Sequence, residues 1–153
     1  MYIVIVGAGD IGMYLAQKLK AGDHDVLLIE KDHARSQMVA EKLNVMVLNG
    51  DGTDLQTLKE ARLDRAHTFV TLTSEDEVNI ISAQIAKEEF KVERTVAKVN
   101  NPKNQKIFAR LGIDVPIDST SIIARIVEEE ASFMDVMNLL SIKRGNLSVV
   151  RMI

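Results

Sequence analysis

The sequence of 153 residues contains no cysteine, no tryptophan and only two prolines. Without cysteine the chain can form no disulfide framework, no thiolate nucleophile and no cysteine-ligated zinc site, which is typical of a protein from a reducing, cytosolic setting. Histidine is scarce as well, since His24, His33 and His67 are the only three and lie far apart along the chain. We therefore predict neither a bound metal nor a catalytic site built on these side chains.

Strong charge of one sign and long apolar runs are also lacking. The net charge is −3 and the basic residues are scattered, so the sequence has no positive surface of the kind that binds nucleic acid or anionic lipid. No apolar run approaches the roughly 18 residues of a membrane span, and the N-terminus has no basic start or signal-peptide cleavage site. We expect no nucleic-acid partner and no direct insertion into a membrane.

What the sequence does contain is the composition of one globular domain, 46% hydrophobic and 27% charged, organised around a stretch near its N-terminus. A short apolar run, residues 2–6, leads directly into Gly7-Ala8-Gly9-Asp10-Ile11-Gly12, which matches G-x-G-x-x-G and opens a helical pattern. In this context Gly7 makes a tight turn, Gly9 lets the backbone approach a pyrophosphate, and Gly12 lets the helix pack closely on the strand. Residues 7–12, here called the glycine turn, therefore predict a dinucleotide or adenine-nucleotide site.

A second strand, residues 26–29, follows this helix and ends at Glu30, 18 positions after Gly12. At this place in a strand–helix–strand unit a carboxylate accepts hydrogen bonds from ribose hydroxyls. We predict that the intervening helix packs through Ile11, Tyr14, Leu15 and Leu19.

Further apolar runs alternate with helical patterns along residues 32–117. We predict strands at 45–48, 68–72, 95–99 and 115–117, a second helix capped by Asp32, and a helix opened by hydroxyl and acidic side chains at 73–77. The expected core faces are Met38, Val39 and Leu43 on the second helix, and Val78, Ile81, Ile85 and Ala86 on the helix after the fourth strand. Six strands alternating with helices predict a doubly wound, mainly parallel Rossmann sheet over residues 1–118, in the order 3-2-1-4-5-6, with the proline-containing last strand at an edge.

Polar residues follow the carboxyl ends of several predicted strands. Glu30, Asp51, Thr73 and Lys98 all lie at or just past such an end. Because the carboxyl ends of parallel strands share one edge of a sheet, these residues are expected to converge on a crevice outside strands one and four.

The last part of the chain does not read as a closing Rossmann helix. Residues 119–140 form one long helical pattern with two adjacent apolar stripes: Ile122, Ile126, Phe133 and Met137 trace stripe A, and Ile123, Val127 and Met134 trace stripe B. We interpret it as a crossover and dimerisation helix that packs on its own sheet and on a second subunit. Residues 141–153 include a strand-like alternation from Leu147, and we interpret them as the start of a truncated C-terminal domain or as a tail.

Several motifs together resemble one known family. They are the glycine turn, Glu30 and Asp32, Asn49-Gly50-Asp51-Gly52-Thr53, Thr73-Ser74-Glu75-Asp76-Glu77-Val78-Asn79, Ala97-Lys98-Val99 and Leu111-Gly112-Ile113-Asp114. The chain resembles the nucleotide-binding regulatory domain of potassium transport systems, the RCK or KTN domain of Trk and Ktr uptake proteins, over nearly its whole length. Family members often carry aspartate in place of Glu30 and arginine in place of Lys98; a lysine can contact a phosphate but cannot fork onto it.

The resemblance implies a cytoplasmic, non-catalytic subunit that binds NAD(H) or ATP/ADP, forms a homodimer or an octameric ring, and gates a membrane potassium transporter to which it is peripheral. It also implies which positions contact the nucleotide. These are Gly7, Ala8, Gly9, Asp10, Ile11, Gly12, Glu30, Lys31, Asp51, Gly52, Thr53, Thr73, Ser74, Asn79 and Lys98.

Two other functions fit the same fold. An NAD-dependent oxidoreductase fragment would need an acid or base near the nicotinamide, but His24 and His67 fall at the amino ends of their strands and His33 lies on the ribose side. A methyltransferase is a weaker alternative, because no acidic residue precedes Gly7 within the first strand.

Overall fold

The computed structural model describes residues 1–143 of the chain. Strands and helices alternate as the sequence predicts, with two short 3-10 turns at Leu63–Arg65 and Pro102–Asn104. The strands are β1 (Tyr2–Val6), β2 (Asp25–Glu30), β3 (Met46–Asn49), β4 (Thr68–Thr71), β5 (Arg94–Val99) and β6 (Val115–Asp118). The helices are α1 (Asp10–Ala21), α2 (His33–Leu43), α3 (Leu55–Glu60), α4 (Asp76–Glu88), α5 (Gln105–Arg110) and α6 (Ser119–Lys143).

The six strands form one parallel sheet in the order β3-β2-β1-β4-β5-β6, which confirms the predicted Rossmann topology. β1 lies at the centre, where Val4 is paired with Leu27 of β2 and with Phe69 of β4. β6 lies at an edge, as its Pro116 predicts, since proline cannot donate to a second neighbouring strand.

Both faces of the sheet are covered, so the central strands are almost entirely buried. Alternate residues of β1 point to opposite faces, and each face has its own apolar cluster. One cluster contains Val4, Val6, Leu27, Ile29, Leu58, Phe69 and Phe108, and the other contains Ile3, Ile5, Leu28, Val39, Val45 and Val70. Burial on both sides explains why these strands are continuous apolar runs rather than alternating ones.

The helices pack through smaller residues than the sequence pattern suggests. Ile11, Tyr14, Met38 and Ile81 were each predicted to face the core, but all four are exposed. Small side chains take their place: Gly12 and Ala16 on α1, Ser36 beside Val39 on α2, and Ser82, Ala83 and Ala86 on α4. A helix can approach the sheet closely only through such residues, and the larger apolar side chains then lie outside the contact.

The start of α4 also differs from the prediction. The expectation that hydroxyl groups cap the first turn of this helix is wrong, because its N-cap is Glu75, whose side chain forms no capping hydrogen bond among the described residues, and the Thr73 hydroxyl accepts only the N–H of Glu75 itself. Instead Asp76 is buried, and its carboxylate accepts hydrogen bonds from the backbone N–H groups of Asn100 (2.7 Å) and Asn101 (3.0 Å) and from the side-chain amides of Asn100 (3.0 Å) and Asn104 (2.8 Å). This carboxylate thus fixes the segment between β5 and α5.

These contacts control the protonation of Asp76. Desolvation works to raise the pKa of this carboxyl, but the hydrogen bonds from Asn100, Asn104 and Asn101 favour its ionised form and outweigh it. The pKa of Asp76 in the folded chain therefore lies below its ordinary value.

The chain divides into two compact units at the end of β6, the first being Met1–Asp118 and the second beginning at Ser119. α6 begins where predicted and continues to Lys143, three residues beyond the expected end. Side chains of both stripes are exposed: Ile126 and Phe133 of stripe A by 57% and 56%, and Ile123 and Val127 of stripe B by 62% each. The surface that covers them stays a prediction. The expected strand from Leu147 lies outside the described residues.

Asp76→Ala should destabilise the first unit by about 3 kcal/mol at neutral pH, because four donors lose a charged acceptor. Since the folded-state pKa is lowered, the carboxylate stabilises fully above the unfolded-state pKa of about 4, and this contribution is lost as the pH falls through the folded-state pKa. Urea unfolding from pH 7 to about pH 2 would measure both effects, with Glu77→Ala, an exposed neighbour on α4, as the control. A deficit that stays constant on acidification would contradict this account.

Candidate functional site

A crevice of about 360 Å³ opens at the carboxyl ends of the strands. Its walls are the glycine turn after β1, the end of β2, the loop after β3, the loop after β4 and Lys98 of β5. The lining residues are Val6, Gly7, Gly9, Ile29, Glu30, Lys31, Arg35, Gly50, Asp51, Gly52, Leu72, Thr73, Ser74, Glu75, Val78 and Lys98. The structure thus brings together the strand-end residues that the topology led us to expect.

The glycine turn is as tight as its sequence predicts. Gly7 adopts φ +102°, a conformation that side-chain-bearing residues rarely take, and a Cβ there would lie 3.2 Å from the backbone of Leu72. A Cβ on Gly12 would lie only 2.0 Å from the carbonyl oxygen of Gly7. The first turn of α1 therefore rests directly on the end of β1, and no residue but glycine fits this contact.

Gly9 has a different environment from the other two motif glycines. It is the N-cap of α1, its φ is −77°, and a Cβ built on it would meet nothing within 4 Å. The fold therefore does not require glycine here, and the space beside Gly9 belongs to the crevice. Within residues 1–143 no side chain caps this end of α1, so the N–H groups of its first turn face the open space.

The carboxylate of Glu30 is held in place by backbone groups on both sides. Its Oε1 accepts a hydrogen bond from the N–H of Ala8 (2.9 Å), and its Oε2 accepts one from the N–H of Asp32 (2.9 Å). Each oxygen keeps a further lone pair for another donor. This arrangement presents a fixed pair of acceptors next to the glycine turn, as a ribose site requires.

The loop after β3 is fixed by its own contacts. Asp51 accepts hydrogen bonds from the N–H (2.9 Å) and hydroxyl (2.8 Å) of Thr53, and these, with Lys31 at 3.6 Å, lower the pKa of the Asp51 carboxyl despite its partial desolvation. Gly52 packs against Val6, because a Cβ on Gly52 would lie 2.6 Å from the Val6 side chain. The segment Gly50-Asp51-Gly52-Thr53 therefore packs this loop against the end of β1.

Charges of both signs line the crevice in balance. The acidic side chains are Glu30, Asp51 and Glu75, and the basic ones are Lys31, Arg35 and Lys98. Arg35 is not among the predicted contacts, although its position in the first turn of α2, three residues after the Asp32 cap, could have indicated it. Its guanidinium donates to the carbonyl oxygen of Ala8 at 3.3 Å, which brings a forked cation beside the glycine turn.

Six of the predicted contact residues do not line the crevice. Ala8 is buried and its N–H donates to Glu30, and Gly12 is buried where α1 meets the end of β1. Thr53 donates to Asp51, and Asp10 and Ile11 are exposed outside the lining. Asn79 is completely buried and bonds to the chain around Thr73 and Lys98. The remaining predicted residues all lie in the crevice wall, and their contact with a ligand stays a prediction.

The acidic and histidine side chains form no metal site in the described part of the chain. Residues 1–143 contain no cluster of three or more acidic or histidine side chains that could hold a metal ion. His24 and His67 lie just before β2 and β4, at the opposite edge of the sheet, and within the described chain none of the three histidines lines the crevice. In the same residues no helix is both long and apolar enough to cross a membrane.

Comparison with known proteins agrees with this architecture. The family model of the TrkA-N domain matches residues 3–119. The chain belongs to the TrkA-N domain family. Over 152 residues it is 34% identical to the Trk system potassium uptake protein TrkA homolog of Methanothermobacter thermautotrophicus, an alignment that covers 99% of this chain and 70% of that protein. The resemblance inferred from the sequence motifs is therefore confirmed.

Solved structures extend the comparison to this TrkA-N fold. GsuK bound to ADP is 28% identical, with a TM-score of 0.72 over 83% of this chain and 32% of that one. The GsuK channel bound to NAD has a TM-score of 0.73 at 20% identity, over 82% of this chain and 22% of that one, which supports the fold alone.

The two glycines of the turn should respond differently to alanine. Gly9→Ala should retain the fold with a stability within about 1 kcal/mol of the parent, because its backbone angles suit alanine and reduced freedom of the unfolded chain offsets the poorer N-cap. Gly12→Ala should cost about 3 kcal/mol, because its Cβ would displace α1 from β1. Urea unfolding of the two variants beside the parent would measure this difference. Equal stabilities would show that α1 does not rest on β1 as described.

Proposed function

We propose that this chain is a nucleotide-binding, non-catalytic regulatory domain of a potassium uptake system, and that NAD(H), or ATP or ADP, occupies its crevice. The names of the TrkA relatives support the transport system, and the ADP-bound and NAD-bound GsuK structures support this class of ligand. The site itself supplies the argument from chemistry.

The observation that carries the proposal is the pairing of two features at one end of the crevice. Glu30 offers fixed carboxylate acceptors, and Gly9 leaves open space before the uncapped N-terminus of α1. A ribose on the first and a phosphate on the second is the arrangement that adenine nucleotides adopt on a Rossmann sheet. The residues present therefore fit the adenosine and phosphate parts of either NAD(H) or ADP.

The oxidoreductase alternative finds less support. Hydride transfer in this fold needs a group that moves a proton at the substrate; histidine most often does this, and the histidines of the described chain lie away from the crevice. A sensor needs only different affinities for two arrangements of its subunits, which a bound nucleotide can then shift. We therefore assign regulation rather than catalysis, within the cytoplasm and peripheral to the transporter.

A thermal-shift panel with NAD, NADH, NADP, ATP and ADP tests the nucleotide assignment. A true ligand at 100 times its dissociation constant should stabilise the chain by about 2.7 kcal/mol, which is a shift of several degrees at this size. Gly9→Ala should fold normally but lose the shift, because its methyl group would stand in the path of the phosphates. Glu30→Ala should weaken NAD and ATP alike and reduce the bias against the 2′-phosphate of NADP. A parent chain that none of these compounds stabilises would refute the nucleotide assignment.

α6 provides the surface for association that a regulatory dimer or ring requires. Its exposed side chains include Ile126, Val127, Phe133, Val136 and Leu139, and burying such a side chain fully is worth about 1.5–3 kcal/mol. A few shared anchors could therefore offset much of the cost of bringing two chains together. A second copy of the chain is the partner that we propose for this surface.

Phe133→Asp should shift the chain toward monomer, because a charge would have to be desolvated at the contact. Ser132→Asp is the matched control, since it adds the same charge at an exposed position of α6 that lies beside Glu128 and Asp135, away from both stripes. Analytical ultracentrifugation at matched concentrations would compare the two with the parent, and NAD titration would confirm that the first unit is intact. A monomeric parent at high micromolar concentration, or equal effects of both variants, would remove α6 as the dimer interface.

A further inference from the structure

A buried side-chain amide joins the ends of β4 and β5 directly beneath the crevice. Asn79 of α4 is completely buried, and its Nδ2 donates to the carbonyl oxygens of Thr73 (3.0 Å) and Lys98 (2.9 Å). Its Oδ1 accepts a hydrogen bond from the backbone N–H of Thr73 at 3.1 Å. Both partners line the crevice, whereas Asn79 does not.

These contacts leave only one orientation for the Asn79 amide. A backbone N–H can only donate and a carbonyl oxygen can only accept, so the atom facing the Thr73 N–H must be oxygen and the atom facing the two carbonyls must be nitrogen. An exchanged amide would place the NH2 group against an N–H donor and the oxygen against two acceptors. The chain itself therefore fixes Oδ1 as an acceptor.

The fixed oxygen determines where the hydroxyl proton of Thr73 points. Thr73 Oγ1 lies 2.7 Å from Asn79 Oδ1, and without a proton between them the two oxygens would face each other with lone pairs at hydrogen-bonding distance. The only other acceptor near this hydroxyl in the described structure is the carbonyl oxygen of Glu75 at 3.2 Å, which also lies within the chain. In either case the proton of Thr73 is directed into the protein.

The acceptor capacity of the Thr73 hydroxyl is only half used. A hydroxyl oxygen has two lone pairs, and the N–H of Glu75 occupies one of them at 3.3 Å. The other lone pair has no protein donor within residues 1–143. Because Thr73 lines the crevice, a ligand there could supply the donor. Thr73 can therefore accept a hydrogen bond from a ligand but has no proton to donate to one.

A second hydroxyl donates to the same amide oxygen, so the two lone pairs of Asn79 Oδ1 are shared among three donors. Thr71 Oγ1 donates to Asn79 Oδ1 at 2.8 Å, and Ser82 Oγ in turn donates to Thr71 Oγ1 at 3.2 Å. All three side chains are fully buried, so no water competes for these protons. Ser82 Oγ also lies 3.4 Å from the backbone carbonyl oxygen of Asn79, so its proton has two acceptors within the chain, whereas the Thr71 proton is directed to the amide oxygen.

We propose that Asn79 is a positioning residue that makes the Thr73 hydroxyl a pure acceptor toward the crevice, so that the site selects a ligand with a sugar hydroxyl or an amide N–H at this point over one with a phosphate oxygen. The inference rests on the proposed nucleotide function and deepens it. A phosphate oxygen facing Thr73 would find a lone pair rather than a proton. A sugar hydroxyl, in contrast, would donate a hydrogen bond to the free lone pair of Thr73 Oγ1.

The position of Thr73 relative to Glu30 indicates which ligand group it meets. Glu30 ends β2 and Thr73 follows β4, with β1 between them, so the two lie about two strand spacings, roughly 10 Å, apart. A nucleotide with its adenosine ribose on Glu30 and its first phosphates at Gly9 reaches Thr73 with the group beyond those phosphates. This group is a second ribose in a dinucleotide and a terminal phosphate in ATP. The acceptor at Thr73 therefore favours the dinucleotide.

ADP-ribose and ADP are the probes that test this, because they differ only by the second sugar. In calorimetric titrations of the whole chain, Thr73→Val, which removes the hydroxyl but keeps the shape, should weaken ADP-ribose about tenfold and change ADP by less than about twofold. Thr73→Ser, which keeps the hydroxyl, should bind ADP-ribose within about twofold of the parent. Ser82→Ala is the matched control, because it removes a buried hydroxyl of the same network that does not contact Thr73.

Asn79→Ala removes the nearer acceptor of the Thr73 proton and leaves only the Glu75 carbonyl oxygen at 3.2 Å, so it should narrow the preference for ADP-ribose over ATP. If that variant does not fold, the pair Thr73→Val and Thr73→Ser still decides the question. Equal losses of ADP-ribose and ADP in Thr73→Val, or a larger loss of ATP, would overturn the inference while leaving nucleotide binding intact. A parent chain that binds no adenine nucleotide would overturn the proposed function as well.

Discussion

The contact between Gly12 and the carbonyl group of Gly7 is the constraint on which the rest of the structure depends. A Cβ on Gly12 would lie 2.0 Å from that oxygen, so α1 can pack this closely on β1 only with glycine at position 12. This contact places the uncapped end of α1 at the edge of the sheet, beside the carboxyl ends of β2 and β4. The carboxylate of Glu30 then reaches the backbone of Ala8, and the crevice forms around these groups.

The sheet could be predicted because several independent rules agree on it. Strands that are apolar throughout indicate burial on both faces, and right-handed crossovers between parallel strands leave few possible orders. The faces of the helices could not be predicted in the same way. Periodicity selected the large side chains Ile11, Tyr14 and Ile81, whereas close approach to the sheet selects small ones such as Ala16 and Ala83. The distance between two packed elements is a tertiary property that no local pattern contains.

The candidate site was predictable in its location and less so in the roles of its residues. A polar residue in the loop or first turn after a strand can point into the crevice or beneath it, and the sequence is the same in both cases. Thr73 lies in the crevice wall, whereas Asn79 and Asp76 point into the protein. There Asn79 donates to the carbonyl oxygen of Lys98, and Asp76 accepts from the N–H of Asn100, at the end of β5. Arg35 illustrates the reverse case, in which a cation on a neighbouring helix reaches the glycine turn.

The order of the strands also determines how this chain must fold. β1 is synthesised first, yet one of its two neighbours, β4, begins 62 residues later, at Thr68 rather than near the end of β1 at Val6. No hairpin joins neighbouring strands in an all-parallel sheet. Each pair of strands therefore forms only after a long loop has closed, which costs conformational entropy before the strand contacts stabilise the chain. The most apolar strand of the domain therefore emerges from the ribosome well before it can be covered on both sides. Until β4 is synthesised, one edge of β1 has no partner strand, and an unpaired apolar strand edge is prone to aggregation.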